Sequence, residues 1–120
     1  MRKNDFSEQL KTKMDEYAHL IYKLTRNFPR EEFYGIISQL KRASLSVILN
    51  YIEGFARIQK VVKRNFWEIS YGSLKESKYL LDFSLKEKYI VQRDYEIAIK
   101  LADEIGAMLW SSIQSLKKLC

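Results

Sequence analysis

The chain has 120 residues, of which 47% are hydrophobic and 30% charged; that fits one domain spanning residues 1–120, sustains a packed core and excludes a disordered chain. Lysine and arginine outnumber aspartate and glutamate 21 to 15, giving a net charge of +6, which permits an anionic partner such as nucleic acid without proving one. The single cysteine is Cys120, the last residue, which leaves no internal disulfide and suits a reducing cytoplasm; the charged start MRKNDFSEQLKTK lacks the apolar centre of a signal peptide, and no apolar run approaches the roughly 20 residues of a membrane span.

Only four glycines and one proline punctuate the chain, too few for a β-rich fold. The first helix is expected from about Asp5 to Asn27, with Asp5 and Glu8 resembling a capping pair. Phe6, Leu10, Met14, Tyr17, Ile21 and Leu24 recur every three or four residues as one apolar stripe. Asn27-Phe28-Pro29 breaks that run, and Pro29 with Glu31 and Glu32 suits the start of a second helix from about Pro29 to Ala56. One face of it carries Phe33, Ile37, Leu40, Ser44, Val47, Tyr51 and Phe55. Leu45, Ile48, Leu49 and Ile52 widen that face until the C-terminal half is apolar around most of its circumference. Such a helix is buried on more than one side, and the other helices of a small bundle do not easily cover it all, so copies of the chain are expected to cover the rest.

The basic stretch RIQKVVKR, residues 57–64, leads into a third helix ending near Glu87. Val62, Phe66, Ile69, Ser73, Ser77, Leu80 and Ser84 are expected on its inward face, with Leu74 and Leu81 beside them. After the turn KEKYIVQRD, a fourth helix runs from about Asp94 to Leu119, with Ala98, Leu101, Ile105, Met108 or Leu109, Ser112 and Leu116 inward and Lys117 and Lys118 at the end its dipole favours. Four helices with short connections predict an all-α, antiparallel up-down-up-down bundle whose two central helices are each roughly 40 Å long.

On the second helix Gln39, Arg42, Ser46, Asn50, Glu53 and Arg57 fall on one stripe, at spacings of three, four, four, three and four. A solvated face is the plain reading. An interface between copies of the chain is the sharper one, because the stripe uses Asn, Ser and Gln and is bordered by Leu45, Leu49 and Ile52. Gly54 either eases the helix end or admits a neighbouring backbone. Gly72 lies mid-helix, where glycine costs roughly 1 kcal/mol against alanine, so a tight helix crossing is expected there. Glu76, one turn on, either pairs with Arg42 or is a surface carboxylate.

Catalytic constellations are not found. His19, the only histidine, is expected as a partly buried structural residue beside the core. There is no Cys/His spacing for zinc, no Glu-x-x-His pair for a di-iron bundle and no glycine-rich phosphate loop. Asn50 and Glu53 lack a nucleophile or a perturbed base beside them. The expectation is a protein that is not an enzyme and uses no cofactor. Nucleic-acid binding reads better: Arg57, Lys60, Lys63 and Arg64 place four cations in eight residues at a bundle end, and Lys11, Lys13, Lys23 and Arg26 add more. Such groups hold phosphates without reading sequence, although a solvated charged turn accounts for them equally. Trp67, Trp110 and the eight tyrosines are read as core or interface residues rather than as stacking platforms.

The segment NFPREEFYGIISQLKRASLSVILNYIEGFAR, followed by FWEISYGSLKES, resembles the small bacterial four-helix-bundle proteins encoded by intervening sequences of large-subunit ribosomal RNA genes. Their pattern, F-P-x-E-E-x-Y-G, Q-L-x-R-A-x-x-S, N-I-A-E-G-x-x-R and G-S-L-x-E, is met without a gap from Phe28 to Glu76, about two fifths of the chain. Gln39, Arg42, Ser46, Asn50, Glu53, Gly54, Arg57, Gly72 and Glu76 all fall on it. The pattern's Ile-Ala is Tyr51-Ile52 here, and a second alanine after Arg42 is Ser44. The resemblance implies an antiparallel four-helix bundle assembled as a homopentamer, an RNA or DNA partner and no enzyme activity. A related branch, the accessory proteins of diversity-generating retroelements, implies a possible protein partner such as a reverse transcriptase.

Overall fold

The computed structural model describes the backbone of residues 3–119 and the side chains of residues 5–117, so Cys120 and the side chain of Lys118 lie outside the described residues. Four helices account for most of it: α1 (Lys3–Thr25), α2 (Ile36–Phe55), α3 (Lys60–Lys86) and α4 (Gln92–Leu119). A single 3-10 turn, Arg30–Glu32, precedes α2, and no strand occurs among the described residues. Each helix packs on its neighbours in the cyclic order α1, α2, α3, α4. Contacts run in opposite directions along α2 and α3, Val47 against Ser70 but Tyr51 against Trp67, which fits the up-down-up-down order.

The α1 stripe packs as the spacing requires: Leu10, Met14, Tyr17 and Ile21 have no exposed surface. Asp5 sits inside the first turn of α1 instead of capping it, and the helix ends at Thr25, whose buried hydroxyl turns back to donate to the carbonyls of Ile21 and Tyr22.

The expected continuous second helix is interrupted. Pro29 opens the 3-10 turn, and α2 begins only at Ile36, after Gly35. Its twenty residues make it about 30 Å long by rise per residue, shorter than expected, while the 27 residues of α3 reach about 40 Å. Glu32 replaces the lost helical bonds: Oε1 accepts from the backbone N–H of Ile36 at 3.3 Å, and Oε2 accepts from the Tyr89 hydroxyl at 3.1 Å. One carboxylate thus holds the positive end of α2 and the α3–α4 turn together. The interruption swings Phe33 out of the core stripe, leaving it exposed.

In α3 the inward stripe lies one residue later than expected over its N-terminal half. Trp67, Ser70 and Leu74 are buried, and Ile69 is 52% exposed. The full stripe, Trp67, Ser70, Leu74, Ser77, Leu81 and Ser84, alternates large and small residues at heptad spacing, and its serines leave room for the α2 backbone at Ser70 and for the Tyr17 side chain of α1 at Ser77. Each of these serines keeps its hydroxyl satisfied in the dry interior. Ser70 donates to Val47 O at 2.6 Å, Ser84 to Leu80 O at 2.7 Å, and Ser77 to Leu74 O at 2.8 Å while its oxygen meets the Tyr17 hydroxyl at 2.7 Å. In α4 the core positions are Ala98, Ala102, Ile105, Leu109, Ile113 and Leu116, with Leu101, Met108 and Ser112 only half-buried.

Candidate functional site

The basic end predicted around the α2–α3 connection is partly occupied by the chain's own contacts. Arg57 pairs with Glu53 one turn back and lies 5.1 Å over the Phe66 ring. Lys63 is half-buried, 5.4 Å over Phe55 and 5.8 Å over Trp67. Arg64 is half-buried, with its Nε lacking an acceptor. Only Lys60 of the four is both exposed and without an ion pair among the described residues.

The polar stripe of α2 divides in two. Its middle is a hydrogen-bonded cluster: Asn50 Nδ2 donates to the Ser46 carbonyl and hydroxyl, both at 2.9 Å, and Ser46 meets the Ser73 hydroxyl of α3 at 2.7 Å. Its ends, Gln39, Arg42, Glu53 and Arg57, are exposed. Among the described residues Arg42 and Glu76 form no ion pair, and Glu53 pairs with Arg57. His19, expected beside the core, is instead exposed at 79% of its side chain and lies 3.4 Å from Asp15; its position on α1 faces away from the Tyr17–Ile21 stripe.

Gly54 is buried where α2 ends against α3. A Cβ there would stand 2.6 Å from Trp67 Cδ1 and 2.9 Å from the Lys63 carbonyl oxygen, so the close approach of that backbone requires glycine. Against it the Trp67 indole stacks on Tyr51 at 5.1 Å and donates to the Tyr51 carbonyl at 3.1 Å. Gly72 differs: a Cβ at that position would meet nothing within 4 Å, so no helix of the same chain crosses there.

Outside the polar stripe, α2 presents Leu45, Leu49 and Ile52 to solvent, Leu49 at 59% exposed. Ile69 and Gly72 of α3 are exposed as well. The described residues cover these apolar groups only in part.

The bundle's other end holds residues that the sequence reading placed elsewhere. Because the chain breaks before α2, Phe33 and Tyr34 project together, edge to face with ring centroids 4.9 Å apart, and Tyr34 is 91% exposed. Two grooves of about 580 and 430 Å³ run beside the pair, the first bordered by Arg26, Arg30 and Lys41, the second by Lys41 and Arg42. A proline-marked break with two adjacent aromatic residues four and five positions on, just before Gly35, was the available signal, obscured by the assumption of one unbroken helix.

Four phenols, Tyr17, Tyr51, Tyr89 and Tyr95, are raised above their ordinary value, Tyr17 and Tyr95 the most. Burial pushes Tyr17 up to about 12, and the hydrogen bond to Asp82 pushes Tyr95 up to about 12. Both move away from neutral pH, so neither is poised as a general base. Among the described residues, no group of three or more His, Cys, Asp or Glu side chains is placed to hold a metal ion, and no helix is long and apolar enough to cross a membrane.

Residues 8–111 match the family described as 23S rRNA-intervening sequence protein. Among solved structures, a protein of unknown function from the S23 ribosomal protein family of Bacteroides thetaiotaomicron has a TM-score of 0.84 with this chain at 24% identity, over 91% of this chain and 98% of that one. At that identity the likeness shows the shared four-helix fold. No curated protein matches the chain.

Proposed function

The chain belongs to the 23S rRNA-intervening sequence protein family, and from that membership and its surface we propose that it is a non-enzymatic, cytoplasmic, single-domain bundle that assembles with copies of itself and binds nucleic acid, structured RNA foremost. The observation that carries this reading is the outer ridge of α2. Leu45, Leu49 and Ile52 face solvent side by side, and an exposed apolar row bordered by polar groups is the anatomy of a contact surface. Five copies is the number that the family resemblance implies. A closed ring would repeat every cation around its circumference, and repetition raises a weak phosphate contact to useful avidity.

Light scattering over a concentration series tests the assembly, and retention on RNA from low to high salt tests the partner. The expected result is a stable oligomer whose RNA affinity falls steeply with salt. A lone monomer at high concentration would overturn the self-association and hand the ridge to a different protein, such as a reverse transcriptase. Retention that ignores salt, or none at all, would overturn the nucleic-acid reading.

A further inference from the structure

We propose that unpaired nucleotides of a single-stranded nucleic acid stack on the Phe33–Tyr34 pair while Arg26, Arg30, Lys41 and Arg42 hold their phosphates. This rests on the reading of the protein as a nucleic-acid binder, and it moves the contact to the end of the bundle opposite Arg57–Arg64.

Three observations meet at this place. First, the aromatic pair is held out from the core by the break before α2, and a ring as open as Tyr34 (91% exposed) contributes little to folding. Second, both grooves beside the pair share Phe33, Tyr34 and Lys41, so they form one surface around the rings, and no carboxylate borders either groove. Of the acidic neighbours, Glu32 is engaged by Ile36 and Tyr89, and the exposed Glu31 lies outside the lining of both grooves. Third, the four cations are available. None of them is paired with a carboxylate, and Lys41 is set in place 4.8 Å over the Tyr22 ring. At the opposite end Arg57 is already paired with Glu53.

Open aromatic faces among cations bind single strands, because every base has a face to stack and every nucleotide a phosphate to neutralise. A duplex hides its base faces and can use only the cations. The site therefore discriminates strand state rather than sequence.

The test is fluorescence anisotropy with a labelled strand about 12 nucleotides long, made as RNA and as DNA, and with its duplex. Wild type is expected to bind either single strand more tightly than the duplex. Equal affinity for RNA and DNA is what bases and phosphates alone give, and a preference for RNA adds contact with the 2′-hydroxyl; both support the site. Tyr34→Ala should weaken single-strand binding by roughly 5- to 100-fold, with Tyr34→Phe close to wild type. The double variant Arg30→Gln/Lys41→Gln should lower the slope of log affinity against log salt by about 1.4. Single-strand affinity unchanged in Tyr34→Ala, or a wild-type preference for duplex, overturns the proposal. If Lys60→Gln/Lys63→Gln loses binding while Tyr34→Ala does not, nucleic-acid binding stands and this site falls. No binding of any strand at low salt sinks both. A change of oligomeric state in Tyr34→Ala by light scattering would assign the ring to a second copy of the chain and also overturn the proposal.

Discussion

Alanine at Gly54 and alanine at Gly72 should move stability in opposite directions, although both glycines lie in helices. At Gly54 a new Cβ falls 2.6 and 2.8 Å from the Trp67 ring and 2.9 Å from a backbone oxygen, roughly 1 Å inside ordinary contact. The indole cannot retreat without leaving the Tyr51 stack and its bond to the Tyr51 carbonyl. Overpacking of this kind costs about 1–3 kcal/mol, and loss of the indole hydrogen bond adds about 1 kcal/mol. The helix propensity of alanine returns less than about 1 kcal/mol in a last turn. Net destabilisation of about 1–3 kcal/mol follows. At Gly72 nothing opposes the new methyl group, so only the propensity gain remains, about 0.5–1 kcal/mol. Urea unfolding followed by far-ultraviolet circular dichroism, at one fixed protomer concentration, reads both as shifts of the midpoint. Gly54→Ala as stable as wild type, or Gly72→Ala less stable, would refute the reasoning.

Three further outcomes are expected. Because burial lifts Tyr17 to about 12 from an ordinary 10.0, the folded chain keeps a proton that the unfolded chain releases; stability is whole below pH 10 and declines as pH rises toward 12, by about 3 kcal/mol from this group, and alkaline unfolding curves of Tyr17→Phe should lack that part of the decline. Lys88 has φ of 64° at the end of α3, where Tyr89 N–H bonds back to Ser84 O, so Lys88→Gly should raise stability by about 1 kcal/mol in the same urea assay. Glu32→Ala removes the acceptor for both Ile36 and Tyr89 and should cost about 1–2 kcal/mol by thermal unfolding; an unchanged melting temperature would show that water replaces the carboxylate without loss.

The helix count and the α1 stripe were legible because a 3.6-residue period survives wherever one partner face is flat and apolar. The register of α3 was not. Phe66, Ile69 and Ser73 make as good an apolar stripe as Trp67, Ser70 and Leu74, and the choice is made by partners distant in sequence: the gap over Gly54 that admits Trp67, and the Val47 carbonyl that takes the Ser70 hydroxyl. The break before α2 was hidden for a related reason. Pro29 suits a first helical turn as well as a 3-10 turn, and the decision rests on Glu32 reaching both Ile36 and Tyr89. The misplacement of Phe33 and Tyr34 follows from that one error, since hydrophobic periodicity counts an aromatic residue as core whether or not it has anything to pack on. Spacing sets the polar residues of α2 on one row but does not say which bonds form; Asn50 bonds to Ser46, and Arg42 does not pair with Glu76 of α3.

Under the proposed self-association, that division of the stripe decides where the assembly energy comes from. A charge pair buried between copies would make loss of either partner cost on the order of 3–5 kcal/mol. The structure instead gives Glu53 to Arg57 as an exposed pair one turn apart, worth about 0.3–0.5 kcal/mol, and the Ser46–Asn50 cluster is closed within the chain. What remains unspent is apolar surface: covering Leu49, 59% exposed, gains roughly 1–2 kcal/mol per copy, and Leu45 and Ile52 beside it gain comparable amounts. Leu49→Lys should therefore dissociate the oligomer while circular dichroism stays helical, because the side chain contributes little to the core of its own chain. Glu53→Ala should leave the mass by light scattering unchanged. The reverse pattern, with Glu53→Ala dissociating and Leu49→Lys assembling as wild type, would place the contact on the charged ends of the stripe and remove the ridge from the account.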